Sequence, residues 1–311
     1  MQEFYPLVSV IIPQYKRVEW FKIALDSVLN QTYKNIEIFI TDNSPDTKTK
    51  DMMREYLQKY SNIIYEHHPE YSASDNWNRA IAYNNPKAEY VNWLMNDDVF
   101  MPNKIEFMLD KFKKYENLTL VTSYRQCIDE NGNVLPDCID TIPIAKQDVI
   151  IKGQYAGNML LSNMRNYIGE PTTVLVKKSA MRKGTLGGAG TANDDKYIIS
   201  DFPTWLQCLR KGDLYYAVHP FSQYRRHSNQ GQFNIDALLD GIMRWAIELC
   251  AAWEEKSFIT NENDLKKAFS IWTPNVENYM RICDENKYDN IDKIKDLVRY
   301  SMKIQKILLQ M

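Results

Sequence analysis

The chain has 311 residues, enough to bury one large α/β core or one domain with an extension. Its 38 basic and 40 acidic residues nearly cancel, which excludes a broad basic field for nucleic acid. Five cysteines, odd in number and without CxxC spacing, argue against a disulfide framework and fit free thiols in a reducing compartment.

The N-terminal stretch has neither the basic start nor the long apolar run of a signal peptide. Val8 to Pro13 is a β-branched run of strand length. From Glu19 to Gln31, Phe21, Ala24, Leu25, Val28 and Leu29 fall on one helical face. Residues 36–41 predict a second strand, closed by the turn formers Asp42-Asn43-Ser44-Pro45-Asp46. A helix over 48–60, a short strand over 62–66, a helix capped by Ser74 or Asp75 and a strand over 90–95 follow. This alternation implies βαβ units and a largely parallel sheet. Ligands of such sheets sit at the carboxyl ends of the strands, where 13–17, Asp42 and Asp97 all fall.

Residues 118–124 and 134–144 read as strands around the turn Asn131-Gly132, and 172–176 as another. Four glycines between Gly184 and Gly190 read as a mobile loop. Beyond about Gly231 the patterns are helical, over 237–256, 263–270 and 289–310. The most apolar of these contains Asp240, Arg244 and Glu248, so it is an amphipathic or buried helix rather than a membrane span. The expected layout is an α/β domain over 1–231 and an all-helical extension over 232–311. The protein is expected to be cytoplasmic, or peripheral at the inner face of a membrane, with the C-terminal helices available to a membrane or a protein partner. The chain stops on Leu308-Leu309-Gln310-Met311 without a helix stop signal, which fits either a piece of a longer chain or a last helix that docks elsewhere.

The turn after the first strand, Pro13-Gln14-Tyr15-Lys16-Arg17, holds no glycine. It is neither a GxGxxG turn nor a P-loop, and its backbone cannot cradle a diphosphate, which excludes dehydrogenases and P-loop kinases. Asn96-Asp97-Asp98 offers another device. Two adjacent carboxylates at the exit of a buried strand repel each other and resist burial, and a cation relieves both. Oxygen ligands suit Mg²⁺ or Mn²⁺, and such an ion commonly brings a phosphate. The structural alternative is an acidic turn before a helix, with Asp98 or Asn103 near its N-cap.

These segments together resemble family-2 inverting glycosyltransferases of the GT-A fold. The resemblance rests on Val8 to Arg17, Ser27 to Tyr33, Ile38 to Ser44, Asn78 to Ile81 and the run from Ala88 through Asp97-Asp98 to Pro102, and it spans about residues 6–230. It implies a Rossmann-like sheet flanked by helices. It also implies non-processive transfer of a sugar from a nucleotide-diphospho-sugar, expected to be a UDP-sugar, to a hydroxyl of a saccharide or glycoconjugate. A divalent metal, Mn or Mg, would assist, and cell-surface glycan assembly is the family's commonest setting.

By the same resemblance Pro13, Tyr15 and Arg17 border the base, Asp42 holds base or ribose, and Asn78 makes a polar base contact. Asp97 becomes the principal metal ligand, with Asp98 orienting ribose, water or ion. Asp201, in Ser200 to Leu206, becomes the catalytic base, and His227, in Tyr224 to Asn229, a metal ligand. The family's Asp-x-Asp-Asp would put its first acid at Met95, so that ligand is missing here. Each position also has a structural reading: Tyr15 packed on the sheet edge, Asp42 as a turn former, Asn78 facing solvent, Asp201 as a helix cap. Two alternatives stay open. A non-catalytic carbohydrate- or partner-binding module is favoured by Met95. A sugar nucleotidyltransferase would need a Gly-rich, basic first loop that this chain lacks.

Overall fold

The structure is a computed structural model that describes residues 4–181, 201–228 and 234–311, so the glycine-rich stretch 184–190 lies outside the described residues. Within them the contacts form two compact units. One is built from 4–151, 167–181 and 211–226, the other from 152–166, 201–210, 227–228 and 234–311.

The first unit holds the sheet. β1 (Leu7–Gln14), β2 (Ile36–Asp42), β3 (Ile63–His67) and β4 (Ala88–Trp93) pair in parallel in the order β3-β2-β1-β4. Their β-branched residues follow from burial on both faces, as central parallel strands require. Val8, Val10 and Ile12 with Ile36, Ile38 and Ile40 pack on Phe21, Ala24, Leu25 and Val28 of α1 (Val18–Leu29). Phe39 points the other way and stacks on Tyr83 at 4.0 Å between ring centroids. The helices α2 (Lys48–Lys59), α3 (Ala73–Ala82) and α4 (Lys104–Lys114) complete the alternation. Ser72, rather than Ser74 or Asp75, caps α3. Its hydroxyl accepts from the Asp75 amide while the Asp75 carboxylate reaches back, a reciprocal capping box.

Past β4 the sheet is mixed. β8 (Leu175–Lys177) lies antiparallel to β4 and to β6 (Leu118–Ile128), because it is entered from the 3₁₀ turn Pro171–Thr173 and not from a helical crossover. β9 (Asp213–Arg225) runs parallel to β6 and carries β5 (Val99–Phe100) and β7 (Val149–Ile151) antiparallel on it. The strand expected over 134–144 is not formed. Pro136 and Pro143 lack ladder donors, and only an isolated bridge joins Ile128 to Val134. β6 extends to Ile128 instead, and the Asn131-Gly132 turn follows with Gly132 at φ +87°.

The second unit is helical: α5 (Gly153–Ser162), α6 (Asp201–Leu209), α7 (Ile235–Glu254), α8 (Glu262–Glu285) and α9 (Ile291–Leu309). Gly157 is required in α5, because a Cβ there would overlap the Phe258 ring. Phe202 of α6 stacks on Trp245 of α7 at 4.1 Å, and the Trp272 indole donates to the Ile242 carbonyl at 2.9 Å. α8 runs well past the expected stop near Ser270. It carries Pro274 inside it, and burial of Trp272, Val276 and Cys283 offsets the lost hydrogen bond. Among the described residues no helix is long and apolar enough to cross a membrane.

One buried charge in the first unit gives a test. Lys104 opens α4 fully buried, its ammonium donating to the Thr173 carbonyl at 2.8 Å and lying 5.0 Å from the Phe100 ring centroid. Burial pushes its pKa well below the lysine range. The unfolded chain titrates this amine near pH 10.4, so between the lowered folded value and about 10.4 only the unfolded state binds the proton. Stability from this group therefore rises with pH across that window. Urea unfolding of the parent and Lys104→Met should show the parent gaining on the variant from pH 7 to pH 10, and a flat difference would refute the assignment.

Candidate functional site

The carboxyl ends of β1, β2 and β4 are tied together by buried amides. Gln14, the last residue of β1, is fully buried. Its amide nitrogen donates to Thr49 Oγ1 at 3.1 Å, and its side-chain oxygen accepts from Asn96 Nδ2 at 2.8 Å. Its backbone carbonyl accepts from the Asn43 amide and from Asn76 Nδ2, whose own oxygen takes the Thr41 hydroxyl at 2.7 Å. One residue thus joins the turn after β1, the end of β2, the start of α3 and the Asn96–Asp98 loop.

This lattice holds a turn that local sterics oppose. Lys16 and Arg17 both adopt left-handed backbone conformations, at φ 53° and 50°, although neither is glycine. Each such residue costs about 1–2 kcal/mol. The Lys16 amide is fixed on Ser44 Oγ at 2.7 Å, and the Tyr15 carbonyl accepts from Asn96. The twist aims Arg17 at Asp97, with Nη1 3.2 Å from Oδ2.

The two adjacent acids have different surroundings. Asp98 is buried; its Oδ2 accepts the Thr172 hydroxyl at 2.6 Å and its Oδ1 the Arg225 amide at 2.9 Å. Burial, and then the neighbouring Asp97 charge, push its pKa well above the usual carboxylate range. Asp97 keeps 14% of its side chain exposed beside Arg17. Arg225 at the end of β9 locks the loop from beneath. Its Nε donates to the Asp97 carbonyl at 2.7 Å, and its Nη1 donates to the carbonyls of Asp129 and Glu130. The Trp20 ring lies under both guanidinium groups, 5.7 Å from Arg17 and 5.3 Å from Arg225.

The turn bearing Thr172 is fixed in turn. Gly169 takes φ +106°, where a Cβ would overlap the Thr173 hydroxyl. Glu170 pairs with buried Arg125 at 2.6 Å.

The other expected site residues are placed as follows. Pro13 lies within β1, opposite Thr41 of β2. Tyr15 is 47% exposed, with the Lys16 ammonium 4.9 Å from its ring centroid. Asp42 is buried, accepting from the Ser44 amide at 2.8 Å and from the Tyr65 hydroxyl at 2.7 Å. Burial and that bond raise the Tyr65 pKa. Asn78 is exposed on α3, while Asn76 on the same helix faces the sheet. In the helical unit, Asp201 opens α6 and its Oδ2 accepts from Asn166 Nδ2 at 2.9 Å, and His227 is buried. Sequence reasoning missed Gln14, Asn76, Thr172 and Arg225. A polar Gln closing an otherwise apolar strand was the one local signal.

Among the described residues no three His, Cys, Asp or Glu side chains form a group that could hold a metal ion. The donor chemistry still suits a hard cation that keeps its waters. Mg²⁺ is commonly held by one or two carboxylates together with substrate phosphates, and Asp97 supplies a partly exposed one.

Sheet order and loop placement define an α/β fold whose ligands belong at the strands' carboxyl edge. The chain belongs to glycosyl transferase family 2, whose family model matches residues 9–183. An uncharacterized glycosyltransferase of Rickettsia prowazekii is 36% identical over 226 residues, covering 72% of this chain and 65% of that protein. Another, from Rickettsia felis, is 31% identical over 237 residues, and the alignment spans 74% of this chain but 36% of that relative's length. The crystal structure of S. aureus TarS 1-349 in complex with UDP superposes with a TM-score of 0.60 at 11% identity, covering 94% of this chain and 80% of that one. The same protein in complex with UDP-GlcNAc gives 0.60 at 10% identity, covering 96% and 80%. These likenesses show the GT-A fold.

Gln14→Leu keeps the volume and removes the shared amide, leaving Asn96 and Thr49 without their partner. A loss of about 1–3 kcal/mol in urea unfolding is expected. Unchanged stability would mean that Gln14 does not hold these loops.

Proposed function

We propose that this chain is a metal-dependent, inverting, non-processive glycosyltransferase. It would move a sugar from a nucleotide-diphospho-sugar, with UDP as the nucleotide, to a hydroxyl of a saccharide or glycoconjugate in cell-surface glycan assembly. The observation that carries this reading is the Gln14 lattice, which presents Asp97 beside Arg17 at the carboxyl edge of a family 2 sheet. The complexes of TarS with UDP and UDP-GlcNAc support the choice of donor.

In this reading the exposed Tyr15 ring offers a stacking face to the base, bordered by Pro13, with Asp42 and Asn78 as polar contacts. Asp97 would hold Mn²⁺ or Mg²⁺ together with the phosphates of the donor, with Asp98 orienting the ion. The ion supplies charge neutralisation at the diphosphate when bound. Arg17 adds a guanidinium beside the same oxygens as negative charge builds on them. Asp201 takes the proton of the acceptor hydroxyl while that oxygen bonds the anomeric carbon and the bond to the diphosphate breaks.

Two substitutions separate these roles. Asp97→Asn keeps the shape and removes the charge, so calorimetry should show Mn²⁺-dependent UDP affinity lost with the fold intact. Equal affinity in variant and parent would rule out the metal role. Asp201→Asn should lower transfer about a hundredfold to ten-thousandfold with UDP affinity near that of the parent. Transfer at the parental rate would leave Asp201 as a helix-opening residue only.

A further inference from the structure

The last helix presents two unlike faces. Leu297 and Ile304 of α9 are buried, and α7 is the helix it packs on most extensively. That burial sets its rotation, and ion pairs accompany it near both ends. Lys293 reaches Asp236 at 2.9 Å and Asp240 at 2.7 Å, and Lys303 reaches Glu254 at 2.8 Å. With the rotation set, a second apolar row points outward. Ile291, Val298, Met302 and Leu309 are 60, 47, 65 and 88% exposed. Their spacing of seven, four and seven residues places them within about 20° of one line along the helix.

Lys295, Arg299 and Lys306 lie beside this row, within about 80° on one flank. The helix carries five cations against two acids. Lys295 meets Asp292 at 3.7 Å and Arg299 meets Asp296 at 3.2 Å, with both cations mostly in solvent. The Lys295–Asp292 pair is exposed on both sides and weak, while Asp296 is mostly buried and meets Arg299 from one side, so that both cations still face solvent. An apolar row facing water with cations at its border is the pattern of a helix that lies in the surface of an anionic bilayer. A second copy packed antiparallel, row on row, would bring its equal flank of cations alongside this one, where the two repel. An anionic lipid surface satisfies both the apolar row and the charge.

We propose that the outer face of α9 docks the protein on anionic lipid, with Ile291, Val298, Met302 and Leu309 entering the acyl boundary and Lys295, Arg299 and Lys306 meeting the headgroups. The docking is independent of the sugar-transfer reading. The full chain should co-sediment with phosphatidylglycerol vesicles at least tenfold more tightly than with phosphatidylcholine vesicles, and high salt should weaken the binding. Val298→Asp/Met302→Asp should lose at least tenfold of that affinity while circular dichroism and thermal unfolding stay as in the parent. Lys295→Glu/Lys306→Glu, whose side chains are exposed and outside any core, should lose the lipid preference. Equal binding to both vesicles, or parental binding by both variants, would overturn the proposal. So would a vesicle-inert parent that is dimeric and becomes monomeric in the Val298/Met302 variant, since a second copy would then be the occupant.

Discussion

A single buried side-chain amide holds the first unit's site in shape. Gln14 ends a strand of apolar residues and cannot leave its amide unpaired there without a cost of about 1–3 kcal/mol. That demand is met only if Thr49, Asn96 and the backbone of the next turn come to it. The two left-handed residues that follow, Lys16 and Arg17, are affordable because the lattice fixes both sides of the turn. The direction of Arg17, and with it the setting of Asp97, follows from that turn.

The acidic pair shows how one dipeptide can hold two different carboxylates. Asp98 is turned under the loop to Thr172 and the Arg225 amide, and burial favours its neutral form. Asp97, one residue on the outer side, keeps solvent and a guanidinium. The mutual repulsion of neighbouring charges is thereby lowered without a third group between them. Arg225 binds this loop through the Asp97 carbonyl and the turn after β6 through the carbonyls of Asp129 and Glu130, which makes the end of β9 part of the floor of the site.

Much of this was legible in the sequence where the signal is local. The β-branched runs of β1 and β2, the apolar face of α1 and the acidic end of β4 are short-range patterns that packing reinforces. The partners of Asp98 were not legible, because Thr172 and Arg225 stand 74 and 127 residues away in the chain. The left-handed Lys16 and Arg17 carry no glycine to announce them. Pro220 hid β9 by interrupting its pattern, and two glycines, Gly153 and Gly157, hid α5, where one of them makes room for Phe258. The strand expected over 134–144 failed for the reverse reason, since its apolar residues are separated by prolines that cannot join a ladder.

β9 is paired at both ends of its length with β6, from Leu118 opposite Asp213 to Ile128 opposite Arg225. Between these paired ends the register shifts twice: Thr119 is extra on β6, and four residues of β9 (218–221) stand against Tyr124 alone on β6. A residue added to or deleted from either strand would slide Arg225 along its neighbour and draw it away from the Asp97 carbonyl. The connection from Asp129 to Asp148 carries no such register, since a lone bridge at Val134 is its ladder contact among the described residues. Changes in chain length among relatives should therefore collect between 131 and 147, beyond the two carbonyls that Arg225 holds, while the paired spans of β6 and β9 keep a constant residue count.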